Sequence, residues 1–225
     1  MSRIQKFTVT CVGFMVLAAV GCGRSDNSST PAAIVGSGSE NNTADGGAVA
    51  RQPASDPRHP VVLVDTSLGA IQVRLDAEKS PLTVSNFLSY VMASHYDKTI
   101  IHQVYKGQGV LAGGYDENMV ERACRTAIYN EARNGLKNRR GTIAMVRQPG
   151  SIHSATSQFF INVADNPNLD FRDNTPEGYG YCVFGEVIEG MDVVDRINAA
   201  PLHDVEKFER TPVQPIVVKT IQRIL

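Results

Sequence analysis

The chain has 225 residues, 42% of them hydrophobic and 20% charged, with a formal net charge of −1. This is the composition of an ordinary soluble globular protein. It lacks the basic excess that a nucleic-acid footprint needs, so no nucleic-acid partner is expected.

Arg3 and Lys6 precede an apolar run from Phe7 to Val20, which ends in Ala19-Val20-Gly21-Cys22. Positive charge, a short apolar core and small residues at a cut site predict a secretory signal over residues 1–21. The run is short for a transmembrane helix. Ala19 to Cys22 resembles the lipobox of bacterial lipoproteins, which implies that Cys22 is lipidated and heads an exported, membrane-anchored protein on the periplasmic side or the cell surface. A plain signal anchor is the competing reading. Without Arg3 and Lys6 the balance is 20 Lys+Arg against 23 Asp+Glu. Residues 22–57 are mostly Ser, Gly, Asn, Ala and Asp with scattered Pro, and predict a flexible tether spanning about 30–35 Å. Residues 58–225 suffice for one core and are too few for two ordinary domains.

Val61–Asp65 and Ile71–Leu75 read as a hairpin around the turn Thr66–Gly69, the second strand alternating apolar and polar. Ser80-Pro81 opens a helix, with Ser80 as N-cap and Pro81 at the first helical position. Val84, Phe87, Leu88 and Val91 give it one apolar stripe. Strands are predicted at Thr99–Val104, Val110–Ala112, Thr142–Val146, Gln158–Val163 and Tyr181–Val187. A second helix fits Met191–Asn198, and Ile216–Leu225 reads as a strand pairing with the first. Gln158–Val163 carries two aromatic rings on opposite faces, one for the core and one for a pocket wall. So many short strands with two helices predict a closed or nearly closed β architecture.

Gly107-Gln108-Gly109-Val110-Leu111-Ala112 matches the dinucleotide pattern G-x-G-x-x-A, but the following Gly113-Gly114 would break the helix that the pattern requires. The five histidines show no metal-ligand spacing, and no metal is expected. In an exported protein Cys124 and Cys182 can be a disulfide or two separate thiols.

Three stretches resemble the cyclophilins, above all their bacterial branch. They are Asn130–Met145, His153–Asn162 and Gly180–Val187, and Gly190–Asp195 fits as well. The resemblance runs from about residue 60 to the C-terminus. It implies a mainly β fold, a closed eight-stranded antiparallel barrel capped by two helices, with peptidyl-prolyl cis–trans isomerase activity on proline-containing polypeptides and no cofactor. Twisting an X-Pro bond must overcome a barrier of about 18–20 kcal/mol. An apolar pocket can hold the ring while a donor engages the prolyl nitrogen in the transition state.

Cyclophilins use an arginine as that donor, in a Phe-His-Arg run followed by Gly-Phe-Met-x-Gln-Gly-Gly. Here the run reads Ile101-His102-Gln103, so the catalytic pair becomes His102 and Gln103. The pocket phenylalanine and methionine become Gln108 and Gly109, and the substrate-holding glutamine becomes Leu111. Phe160 and Leu169 match the hydrophobic wall, Tyr181 takes a place where tyrosine is tolerated, and Asn168 stands where an aromatic is usual. Val146 and Arg147 border the family's pocket. Arg147 is read as a solvated surface charge, with a replacement donor as the alternative. Two functions compete: an exported isomerase of low activity, and a cyclophilin-fold binding module without turnover.

Overall fold

The structure, a computed structural model, describes residues 56–225. The signal, Cys22 and nearly all of the tether lie outside the described residues. Eleven strands, two α-helices and two 3-10 turns follow one another from Val61 to Arg223. β1 (Val61–Thr66) and β2 (Gly69–Leu75) form the expected hairpin, with Val62 opposite Val73 and Val64 opposite Ile71. The last strand, β11 (Val217–Arg223), pairs antiparallel with β1, also as expected.

The expected strand at 99–104 splits. β3 (Thr99–Ile100) pairs with β11, whereas β4 (Gln103–Tyr105) pairs with β5 (Gly109–Ala112). The backbone changes partner between them: Ile101 N donates to Ile216 O and His102 N to Leu111 O. With β6 (Thr142–Met145), β7 (Phe159–Asn162) and β8 (Val183–Glu189), the order becomes β3-β11-β1-β2-β8-β6-β7-β5-β4. This corrects the expected closed barrel of eight strands. The sheet has nine strands and curls into a half-barrel, and no ladder joins its terminal strands β3 and β4. Glycine 107 lies in the β4–β5 turn and Gly109 begins a strand, so the G-x-G-x-x-A stretch opens no helix.

α1 (Pro81–Met92) and α2 (Met191–Ala199) both pack their apolar sides into the main core. Phe87 of α1 centres an aromatic cluster, with ring centroids 5.2 Å from Tyr96, 5.6 Å from Phe159 and 5.3 Å from Phe184. The stripe read from sequence is buried except for Leu88, which is half-buried, and Tyr90 joins it. Ser80 makes no side-chain cap. Its hydroxyl donates to Val183 O at 2.9 Å, and the distant Glu131 carboxylate accepts from the first-turn amides of Leu82 and Thr83. A carboxylate at that end also suits the helix dipole.

Candidate active site

Side chains alternate along each strand, so register decides what shares a face. Five consecutive partners form one row across the sheet: Gln103 on β4, Leu111 on β5, Phe160 on β7, Ala144 on β6 and Val183 on β8. The two adjacent phenylalanines therefore divide as the sequence predicts. Phe159 enters the main core, and Phe160 joins a separate cluster with Tyr105, Leu111, Val146 and Leu169.

Tyr181 borders that cluster, its ring 5.7 Å from Phe160 and edge-on at 84°. Burial pushes the Tyr181 phenol above its ordinary range, and the Arg147 charge partly offsets this. A buried amide network fixes the neighbouring loop. Asn166 Nδ2 donates to Asn162 Oδ1 at 2.7 Å and to Gln108 O at 2.9 Å, while Asn138 Nδ2 donates to Leu169 O at 3.0 Å. The loop thus holds Leu169 inward and leaves Asn168 exposed.

Gln103 is only 4% exposed. Its Nε2 donates to the Glu209 carbonyl at 3.3 Å, and its Oε1 finds no partner among the described residues. Leu111 and Phe160, 0% and 3% exposed, are shut off from solvent beside it. Gln103 and the apolar residues Leu111 and Phe160 therefore adjoin, with the amide already engaged and the apolar side packed. Gly109 pairs with Tyr105 and with Asn162 in the next row. A Cβ there would meet Ile161 O at 3.1 Å and Phe160 Cδ2 at 3.6 Å.

His102 points away from this row, as alternation requires. It is fully buried, its ring 5.0 Å from Tyr115 and 5.2 Å from Phe208. Burial lowers its pKa to about 4, with a weak opposing influence from the Ile100 backbone. Neither ring nitrogen has a partner of hydrogen-bonding geometry among the described residues.

Arg147 is not the solvated surface charge read from sequence. It is 5% exposed, with Nε donating to Gly180 O at 2.8 Å and Nη2 to Pro176 O at 2.6 Å. Its guanidinium also lies 5.0 Å from the Tyr181 ring centroid. One side chain thus bridges two carbonyls of the 176–180 loop, and Gly180 O also accepts from Asn130 Nδ2 at 3.2 Å. Cys124 and Cys182 are separate thiols, the first exposed and the second buried.

Sequence reading missed the segment 201–212. It includes the two-stranded pair β9 (Leu202–His203) and β10 (Thr211–Pro212), and anchors through buried Phe208. It supplies Glu209 O to Gln103 and sets the Arg210 guanidinium 4.8 Å from the Tyr105 ring centroid. Phe208, a lone aromatic among charged residues, was the available signal.

Residues 61–223 match the family described as cyclophilin type peptidyl-prolyl cis-trans isomerase/CLD. Peptidyl-prolyl cis-trans isomerase B of Escherichia coli is 42% identical over 161 residues, covering 72% of this chain and 98% of that protein. Peptidyl-prolyl cis-trans isomerase A of Dickeya dadantii is 44% identical over 163 residues, covering 72% and 84%. Among solved structures, a cyclophilin type peptidyl-prolyl cis-trans isomerase of Cryptosporidium parvum superposes with a TM-score of 0.61 at 24% identity, covering 74% of this chain and 98% of that one. The same protein, crystallised in the presence of the dipeptide Ala-Pro, gives a TM-score of 0.60.

Proposed function

Because the chain belongs to the cyclophilin-type peptidyl-prolyl cis–trans isomerase family, we propose that its outer sheet face binds proline-containing segments of exported polypeptides and turns their X-Pro bonds slowly. One observation carries the reading of low activity: the residue at the donor position, Gln103, is a neutral amide already bonded to Glu209 O. A neutral donor stabilises less than a charged one, by about 1–2 kcal/mol. It must also leave its carbonyl before it can meet a prolyl nitrogen. Arg147 does not replace it, since two backbone carbonyls of the 176–180 loop hold its guanidinium.

The same observation supports a second reading, a binding module without turnover. Titrating an X-Pro peptide while following cis–trans exchange by NMR separates the two. Saturable binding with exchange faster than the uncatalysed rate supports the slow isomerase. Binding with unchanged exchange supports the module, and absence of binding rejects both.

The export part rests on the basic start, the apolar run from Phe7 to Val20 and Gly21-Cys22. A lipid on Cys22 holds the domain near a membrane through residues 23–57. Cys22→Ser then moves the protein out of the membrane fraction; retention there after signal processing contradicts the lipid anchor.

A further inference from the structure

Next to Gln103 the sheet edge opens into a cavity of about 260 Å³ lined by Tyr105, Lys106, Gln108, Leu202 and Arg210. Arg210 is held in place from three sides. Its backbone adopts the left-handed region at φ 61°, uncommon for a residue with a side chain. Its N–H donates to Asp204 Oδ1 at 2.9 Å, and its carbonyl accepts from Val104 N at 3.0 Å. Its guanidinium rests over the Tyr105 ring. Among the described residues no carboxylate pairs with Arg210 or with exposed Lys106. Burial pushes the Tyr105 phenol up, with Arg210 pulling it down and Glu209 pushing it up; neither Glu209 nor Asp204, the carboxylate on the Arg210 N–H, lines the cavity. Two cations therefore face one small cavity at the end of an apolar cluster that also contains Tyr105.

We propose that this cavity is a subsite for a carboxylate side chain flanking the bound proline, so that the site selects acidic proline-containing segments. The inference rests on the reading of the outer face as a proline-peptide site. Placed on its aromatic support, Arg210 offers a planar fork suited to a carboxylate, and Lys106 adds a second, mobile charge. The ligand's proline belongs with Phe160 and Leu169, and its neighbouring acid with Arg210.

The test uses three peptides identical except for Glu, Gln or Lys next to the proline, placed in turn on each side and titrated calorimetrically at low salt. The Glu peptide is expected to bind about fivefold tighter than the Gln peptide from one of the two sides, and the Lys peptide weakest. The gap should shrink with added salt. Arg210→Gln and Lys106→Gln, each checked for an intact melt, should erase the difference between Glu and Gln peptides. Lys106 is exposed, so its variant keeps the test open if Arg210→Gln fails to fold. Equal binding of Glu and Gln peptides from both sides, or a preference that survives both substitutions, overturns the subsite alone. Failure of all three peptides to bind overturns the proline site beneath it as well.

Discussion

Gln103 and Leu111 face each other across the β4–β5 ladder, and both are buried. Leu111 sets an apolar group between Gln103 and Phe160 in the row. Leu111→Gln places a polar group in a dry position and should cost about 1–3 kcal/mol, even where the orphaned Gln103 Oε1 receives its amide. Leu111→Met, nearly equal in volume, should cost less than about 1.5 kcal/mol. Urea unfolding of both variants measures the difference.

His102 makes the fold sensitive to acid. Its ring titrates near 4 when folded, against an ordinary 6.5. Between these values the unfolded chain binds a proton that the folded chain refuses. Stability is therefore full above pH 6.5 and falls as pH drops, until the loss is complete near pH 4. The total is on the order of 3 kcal/mol. His95 is shifted in the same direction by burial and adds to the slope. His102→Phe, a ring between Tyr115 and Phe208, should flatten the stability profile over this window. An unchanged profile would show that His102 is hydrated when folded.

Arg147, just past β6, ties its segment to the 176–180 loop through two carbonyls in a nearly closed setting. Arg147→Ala strips Pro176 O of its donor and leaves Gly180 O to Asn130 Nδ2 alone, at a cost of about 1–3 kcal/mol. Arg147→Lys, with a compact head in place of a planar fork, should recover less than half of that. Limited proteolysis near Thr175 should quicken in both, and quicken more in the alanine variant.

The two thiols of the domain should separate by reactivity. Cys182 is 2% exposed, within reach of the Thr83 hydroxyl at 3.4 Å, and burial pushes its pKa up to about 11. Because the thiolate is the reactive form, Cys182 should resist alkylation until the domain unfolds. Cys124 should react in the native state. Peptide mapping after brief iodoacetamide treatment at neutral pH distinguishes them, and early label on Cys182 would contradict the packing.

Local patterns in the sequence were enough for the hairpin, both helices, the split of Phe159 from Phe160 and the pairing of β11 with β1. What escaped them depended on long-range partners. The strand expected at 99–104 looks continuous, because its residues are uniformly β-prone, and only the competing claims of Ile216 and Leu111 divide it. Ser80-Pro81 has the form of a helix start, but Glu131, some fifty residues later, supplies the cap. Arg147 resembles any loop arginine until Gly180 and Pro176 close around it. The family resemblance pointed to Gln103, Leu111 and Phe160 of the row but not to Ala144 or Val183, and it could not point to Arg210, whose segment offers no motif.

On the proposed reading, the engaged amide of Gln103 and the closed row around Leu111 limit turnover. The direct test compares catalysed X-Pro isomerisation in the wild-type chain, in Gln103→Arg, in Gln108→Phe with Leu111→Gln, and in all three substitutions together. Gly109 is left unchanged because a side chain there would press on Ile161 O. The wild type should be slow. A charged donor is worth about 5- to 30-fold in rate, but Gln103→Arg alone should recover only a small part of that, since the ring remains poorly held. The triple variant should exceed the product of the separate effects, because these groups act on one bound proline. A wild-type kcat/KM equal to that of the Escherichia coli isomerase B measured alongside would contradict the account.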